Sequence, residues 1–199
     1  LQNVYINLAG SFGSVSFGRI LMANQGDAFA QFGTNSGEFG DIDSTGNRHD
    51  NVVVYYSPTI AGFSATVANT VNSGTTAEYS YMQLKYAAGP FAASYAQDKN
   101  NANDVRNGTN KTIAASYDLK MAKLFITNGD TNGTKATSFG VNVPMGKATL
   151  KAMAVTGDVK SSVLGVNYNL SKRTSMFADF ANTTGAVSSA YRIGMLTSF

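Results

Sequence analysis

The chain closes on Tyr191-Arg-Ile-Gly-Met-Leu-Thr-Ser-Phe199, in which Tyr191, Ile193, Met195 and Phe199 all fall on one parity. Alternation at every second residue belongs to a half-buried β-strand, not to a helix. Roughly twelve further short segments of the same kind precede it. Their connections also alternate, one short and stereotyped, the next longer and polar. This layout predicts an all-β fold, an antiparallel transmembrane β-barrel whose strands of about ten residues point side chains to lipid and lumen in turn. Nothing marks a domain boundary, so residues 1–199 read as a single barrel domain with about 13 strands.

The expected strands pair as hairpins. Val4–Ala9 meets Ser14–Ile20 across Gly10–Gly13, and Asn51–Ser57 meets Phe63–Asn69 through Pro58 and Gly62. Tyr79–Tyr86 meets Phe91–Gln97 at Gly89-Pro90, and Thr112–Leu119 meets Lys123–Thr127. Ser138–Val143 meets Ala148–Val155 through Pro144–Lys147, and Val163–Leu170 meets Ser175–Phe180. A last strand runs from about Ser189 to Phe199. The prolines Pro58, Pro90 and Pro144 are placed in the short turns, since proline cannot donate to a ladder. The opposite connections are Ala23–Asp50, Asn72–Ala77, Lys99–Asn110, Asn128–Thr134, Gly157–Ser161 and Asn182–Ala186, all polar.

Each strand has one apolar face. In Thr112–Leu119 that face is Ile113, Ala115, Tyr117 and Leu119, and in Val163–Leu170 it is Leu164, Val166, Tyr168 and Leu170. The second face is small, hydroxylic or amide, with few charges, which separates a membrane wall from a half-exposed soluble sheet. Charged residues make up only 14% of the chain, against roughly 25% in soluble domains. Aromatics at strand ends near the short turns (Phe63, Tyr86, Phe91, Tyr117, Tyr168, Phe177, Phe199) are expected to form an interfacial girdle.

The final strand and the first both run toward the short-turn side. An even-stranded barrel normally brings both termini to that side. Parity therefore predicts an odd number of strands upstream of Leu1. Three more would restore a wall of about sixteen strands, large enough for an aqueous channel. The native chain is then expected to exceed 20.9 kDa.

Several segments resemble the general, non-specific trimeric porins of Gram-negative bacteria, of the porin-4 type. They are Leu8-Ala-Gly-Ser-Phe-Gly-Ser-Val-Ser-Phe-Gly-Arg19, Gly37-Glu-Phe-Gly-Asp41, and Asn51-Val-Val-Val-Tyr-Tyr-Ser-Pro58 with Ala61-Gly-Phe63. Tyr168-Asn-Leu-Ser-Lys-Arg-Thr174 and the terminal Phe199 complete the set. The resemblance implies an outer-membrane location, homotrimers, contact with outer-membrane lipid and lipopolysaccharide, and passive diffusion of ions and small hydrophilic solutes. It further implies that about 23–50 is a constriction loop folded into the barrel. Arg19 matches a wall arginine at the constriction, and Glu38 matches the loop carboxylate, with Asp41 close behind. Lys85 and Arg192 are candidates for the rest of the basic cluster, because Val52-Val53-Val54 replaces a strand where many relatives carry arginine. Phe199 is implied as the barrel insertion signal.

Strict alternation from Val15 and Phe17 would aim Arg19 at lipid. A twist or bulge at Gly18, or escape past the membrane rim, must resolve this. His49, beside Arg48 and Asp50, reads as a solvated loop residue, with no second His or any Cys to complete a metal site. Asp27, Glu38, Asp41 and Asp43 also fit ordinary loop solvation. Catalysis has no constellation to rest on: there is no Gly-x-Ser-x-Gly elbow or phosphate-cradling glycine motif. No cofactor and no metal are implied, and the net charge of +3 comes without the Lys/Arg block expected for nucleic acid. Two other channel-level readings stay open, a substrate-specific channel and an occluded structural or adhesive barrel. Selectivity between anions and cations is open too.

Overall fold

A computed structural model describes residues 3–22, 47–71, 78–100, 108–183 and 189–198. They form thirteen strands: β1 (Val4–Gly10), β2 (Gly13–Met22), β3 (Asn47–Tyr56), β4 (Phe63–Thr70), β5 (Tyr79–Ala88), β6 (Phe91–Asn100) and β7 (Gly108–Asp118), then β8 (Lys123–Thr131), β9 (Thr134–Met145), β10 (Ala148–Gly157), β11 (Ser161–Asn169), β12 (Thr174–Thr183) and β13 (Ser189–Thr197). All belong to one sheet, in chain order from β1 to β13. Every neighbouring pair is antiparallel. Among the described residues no helix is long and apolar enough to cross a membrane. The expected all-β, antiparallel architecture is therefore the observed one.

Antiparallel partners point to the same side, so the register carries each strand's alternation around the whole sheet. One face is exposed and apolar: Ile6, Leu8, Phe17, Leu84, Ile113, Leu124, Ile126, Phe139, Leu150, Leu164, Phe180 and Ile193 all lie there. The other is sheltered and polar, with Ser16, Gln83, Ser94, Asn110, Ser116, Thr127, Ser138 and Asn167 buried on it. Sheltering only one side of a single sheet is what coiling toward a barrel achieves. The buried apolar residues form two inner clusters, one around Val52, Val54, Ala68, Tyr81 and Ala96, the other around Phe125, Met153 and Val163.

Several boundaries move. Asn132-Gly133, placed in a polar loop by its composition, instead makes a two-residue turn with φ of 51° and 90°. Both residues have the left-handed φ that a type I′ hairpin needs, and Asn-Gly supplies it at low cost. β8 and β9 consequently extend to Thr131 and Thr134. Pro144 is not in the turn but is the next-to-last residue of β9, opposite Thr149. β8 pairs with β9 only as far as Asn142, so the N–H that proline lacks has no strand to meet. β3 starts at Asn47, inside the expected loop, because β2 continues to pair with it beyond Gly18.

The girdle aromatics largely fall where expected. Phe63 packs on Tyr86 at 4.5 Å between ring centroids, and Tyr86 lies 6.2 Å from Phe91. Phe177 does not join them. It shares the inner face with Asp179 and covers Gly194, where a side chain would collide with its ring.

Two substitutions on neighbouring strands test the sorting of faces. Ile126→Arg, on the exposed apolar face, is expected to destabilise the folded state in a bilayer by about 2–4 kcal/mol. Thr112→Arg, on the inner face, is expected to be near neutral. Urea titration of folding into phospholipid vesicles, read by gel mobility, distinguishes them; equal costs would mean the faces are wrongly assigned.

Candidate functional site

β2 carries Arg19 through an irregularity that strict alternation did not predict in form. The register with β3 shifts between Gly18 and Ile20, so Gly18 pairs with Val52 but Ile20 with His49. Gly18 has φ 141°, and a Cβ there would drive into the Val4 carbonyl, so glycine is required at the bend. Asn51, opposite, adopts φ 56°. Between these two distortions Arg19 Nη1 donates to both carboxylate oxygens of Asp50, at 2.7 and 2.8 Å. The pair is well exposed, at 41% and 62% of the side-chain surface. Toward β1, Arg19 sits opposite Val4, on the face that Ile6 and Phe17 share.

Glu38 and Asp41 lie outside the described residues, as does Phe199. Their expected roles therefore have no geometry here. Lys85 lies on the inner face, opposite Ser64 on β4 and Ser94 on β6. Arg192 lies on the inner face of β13, opposite Asp179. The two candidates occupy different rows of the sheet, so the register does not gather Lys85 and Arg192 into one cluster.

Charged groups that the sequence reading passed over occupy Arg192's row. Asp118 pairs with Lys123, Lys123 with Asn142, and Asn142 with Lys151. Lys151 is opposite Gly165, Gly165 opposite Asp179, and Asp179 opposite Arg192. The row begins beside the short β7–β8 turn and reaches mid-strand in β12, so it climbs the inner face obliquely. Within it, Lys151 Nζ lies 3.7 Å from Asp179 Oδ1, with both side chains fully buried. The available signal was parity: Lys151 and Asp179 each interrupt the uncharged face of an otherwise regular strand.

A second group is aromatic. His49, expected in a solvated loop, is part of β3 and stacks on Tyr79 at 3.8 Å and 16°. Tyr79 in turn lies 6.4 Å from Tyr81 in a near-parallel arrangement. The shift at Gly18 explains the difference, since it keeps residues 47–49 paired with β2. On the same face, Asn110 Nδ2 donates to Asp98 Oδ2 at 2.9 Å. Nearer the β8–β9 turn an uncharged recess of about 600 Å³ is lined by Thr127, Ser138, Met153, Val163 and Thr183 among others. Among the described residues no group of three His, Cys, Asp or Glu is placed to hold a metal ion. The arrangement can orient ions and dipoles by fixed charge.

Residues 1–186 match the family described as Gram-negative porin. Outer membrane porin protein 32 of Delftia acidovorans is 26% identical over 215 residues, covering 88% of this chain and 61% of that protein. The chain thus spans 61% of the length of that curated relative. Among solved structures, the anion-selective porin from Comamonas acidovorans superposes with a TM-score of 0.65 at 22% identity, covering 98% of this chain and 72% of that one. A triple mutant of Rhodopseudomonas blastica porin superposes with a TM-score of 0.71 at 14% identity, covering 94% and 73%. These structures share the fold of this chain.

Because the Arg19–Asp50 pair is exposed, its coupling energy is expected to be only about 0.2–1 kcal/mol and to fade in high salt. A double-mutant cycle of Arg19→Ala and Asp50→Ala, unfolded by urea in detergent, measures it. Gly18→Ala is expected to cost more than about 1 kcal/mol in the same assay, since alanine cannot take that φ freely.

Proposed function

The chain belongs to the Gram-negative porin family, and on that premise we propose that it forms the wall of a water-filled outer-membrane channel for ions and small hydrophilic solutes. The observation that carries this reading is the two-faced sheet. An unbroken apolar exterior can rest in hydrocarbon, while the interior presents hydroxyls, amides and a row of fixed charges. Diffusion through such a lumen needs no conformational step and no chemistry. The chain is a channel component rather than an enzyme.

At the narrowest point, Glu38 and Asp41 would face basic groups of the inner wall, Lys85 and Arg192 among them, while Arg19 stays with Asp50 at the end of the apolar face. The opposed charges would set up a transverse field that orients dipolar solutes and disfavours apolar ones. Phe199 would serve as the terminal signal for barrel insertion. The chain would assemble as homotrimers surrounded by outer-membrane lipid and lipopolysaccharide. The stacked His49, Tyr79 and Tyr81 rings would favour a solute-specific channel, but both tyrosines are buried and offer no track to a passing solute.

Current through the native protein in a planar bilayer tests the proposal. Stepwise ohmic conductance, in threes for trimers, is expected; silence from correctly inserted protein would favour an occluded structural barrel. Replacing Glu38→Gln and Asp41→Asn together is expected to move the reversal potential in a salt gradient toward anion preference. An unchanged potential would remove both carboxylates from the aperture.

A further inference from the structure

Among the charged groups on the inner face, Lys151 and Asp179 stand apart because they meet across an intervening strand. They belong to β10 and β12, with β11 between them. Strands lie about 4.8 Å apart, so residues two strands removed start nearly 10 Å from one another. The position directly between them in the register is Gly165. A Cβ there would collide with Oδ1 of Asp179 and would come within 3.2 Å of Lys151 Cε. The missing side chain is the space through which the ammonium and carboxylate approach to 3.7 Å. That distance is beyond a hydrogen bond, so the contact is one of charge with charge. On its other side Asp179 is in register with Arg192.

We propose that Asp179 is a selectivity-determining residue of the pore, whose carboxylate, reaching Lys151 over Gly165, cancels a lysine charge that the wall would otherwise present to permeating ions. This rests on the reading of the chain as a diffusion channel. A lone charge on an inner wall attracts counter-ions over about a Debye length of 8–10 Å. A cancelled pair presents a dipole, whose field falls off faster. The fully buried state of both side chains fits cancellation, because an isolated lysine would be driven to extend its stem and place its head in water. The wall's preference is then graded by one carboxylate rather than by the number of its basic residues.

The test is the reversal potential of single channels in a potassium chloride gradient, with the native protein and three variants. Asp179→Asn is expected to raise the chloride-to-potassium permeability ratio by about fourfold, since one unit charge seen through water at roughly 10 Å shifts each ion about twofold, in opposite directions. Lys151→Gln is expected to lower it by a similar factor. The double variant, Lys151→Gln with Asp179→Asn, is expected to match the native channel. A role limited to stability would not give single-variant shifts of opposite sign that cancel on combination. The double variant leaves the net charge of the row unchanged, so it tests the proposal even where a single variant does not insert; a displacement of the size of one charge would overturn it. Conducting single variants with unmoved potentials would also overturn it while leaving the channel intact. Absence of current in the native protein would instead overturn the channel reading itself.

Discussion

A backbone N–H or C=O left without a partner in hydrocarbon costs several kcal/mol, and the pairing of neighbouring strands here avoids that cost. Here each strand hands its hydrogen bonds to the next in chain order, from β1 through β13. Once this ladder is formed, the direction of every side chain is settled by its position in the register. A residue can be moved to the opposite face only by a bulge or by slipping the whole strand. The apolar exterior and polar interior are thus one property, not two.

The bulge at Gly18 shows how much one departure changes. It reconciles Arg19 with a parity that points toward lipid, because the distorted backbone brings the guanidinium to Asp50. It also keeps residues 47–49 in the sheet and lays His49 over Tyr79. The electrostatic gain from the exposed pair is small. Its value lies in matching an arginine with a carboxylate at the end of the apolar face, where neither charge must enter hydrocarbon alone.

On the inner face the governing limit is room. Phe125 lies over Gly140 and Phe177 over Gly194, each ring occupying the space a side chain would have filled. Lys151 and Asp179 use Gly165 in the same way. Large or charged groups are accommodated on a curved wall by setting a glycine opposite them in the register. This links glycine placement directly to the charge the interior displays.

Strand number, strand direction and the facing of most side chains were legible from period-two alternation, since that pattern is local and survives without knowledge of partners. Pro144 and Asn132-Gly133 were misplaced because composition was read ahead of turn geometry; the Asn-Gly pair itself carried the needed signal. Phe177 was misplaced because proximity to a turn was read ahead of parity. Among the candidate site residues, the inner facing of Lys85 and Arg192 followed from alternation, but their separation onto different rows did not. Rows depend on stagger between strands, which no single strand records. The sequence by itself thus determined a two-faced antiparallel wall, through the alternation of its side chains. Only the tertiary structure decided that Asp50 meets Arg19 and that Asp179 meets Lys151 across Gly165, because those contacts depend on a bulge and on register summed over several strands.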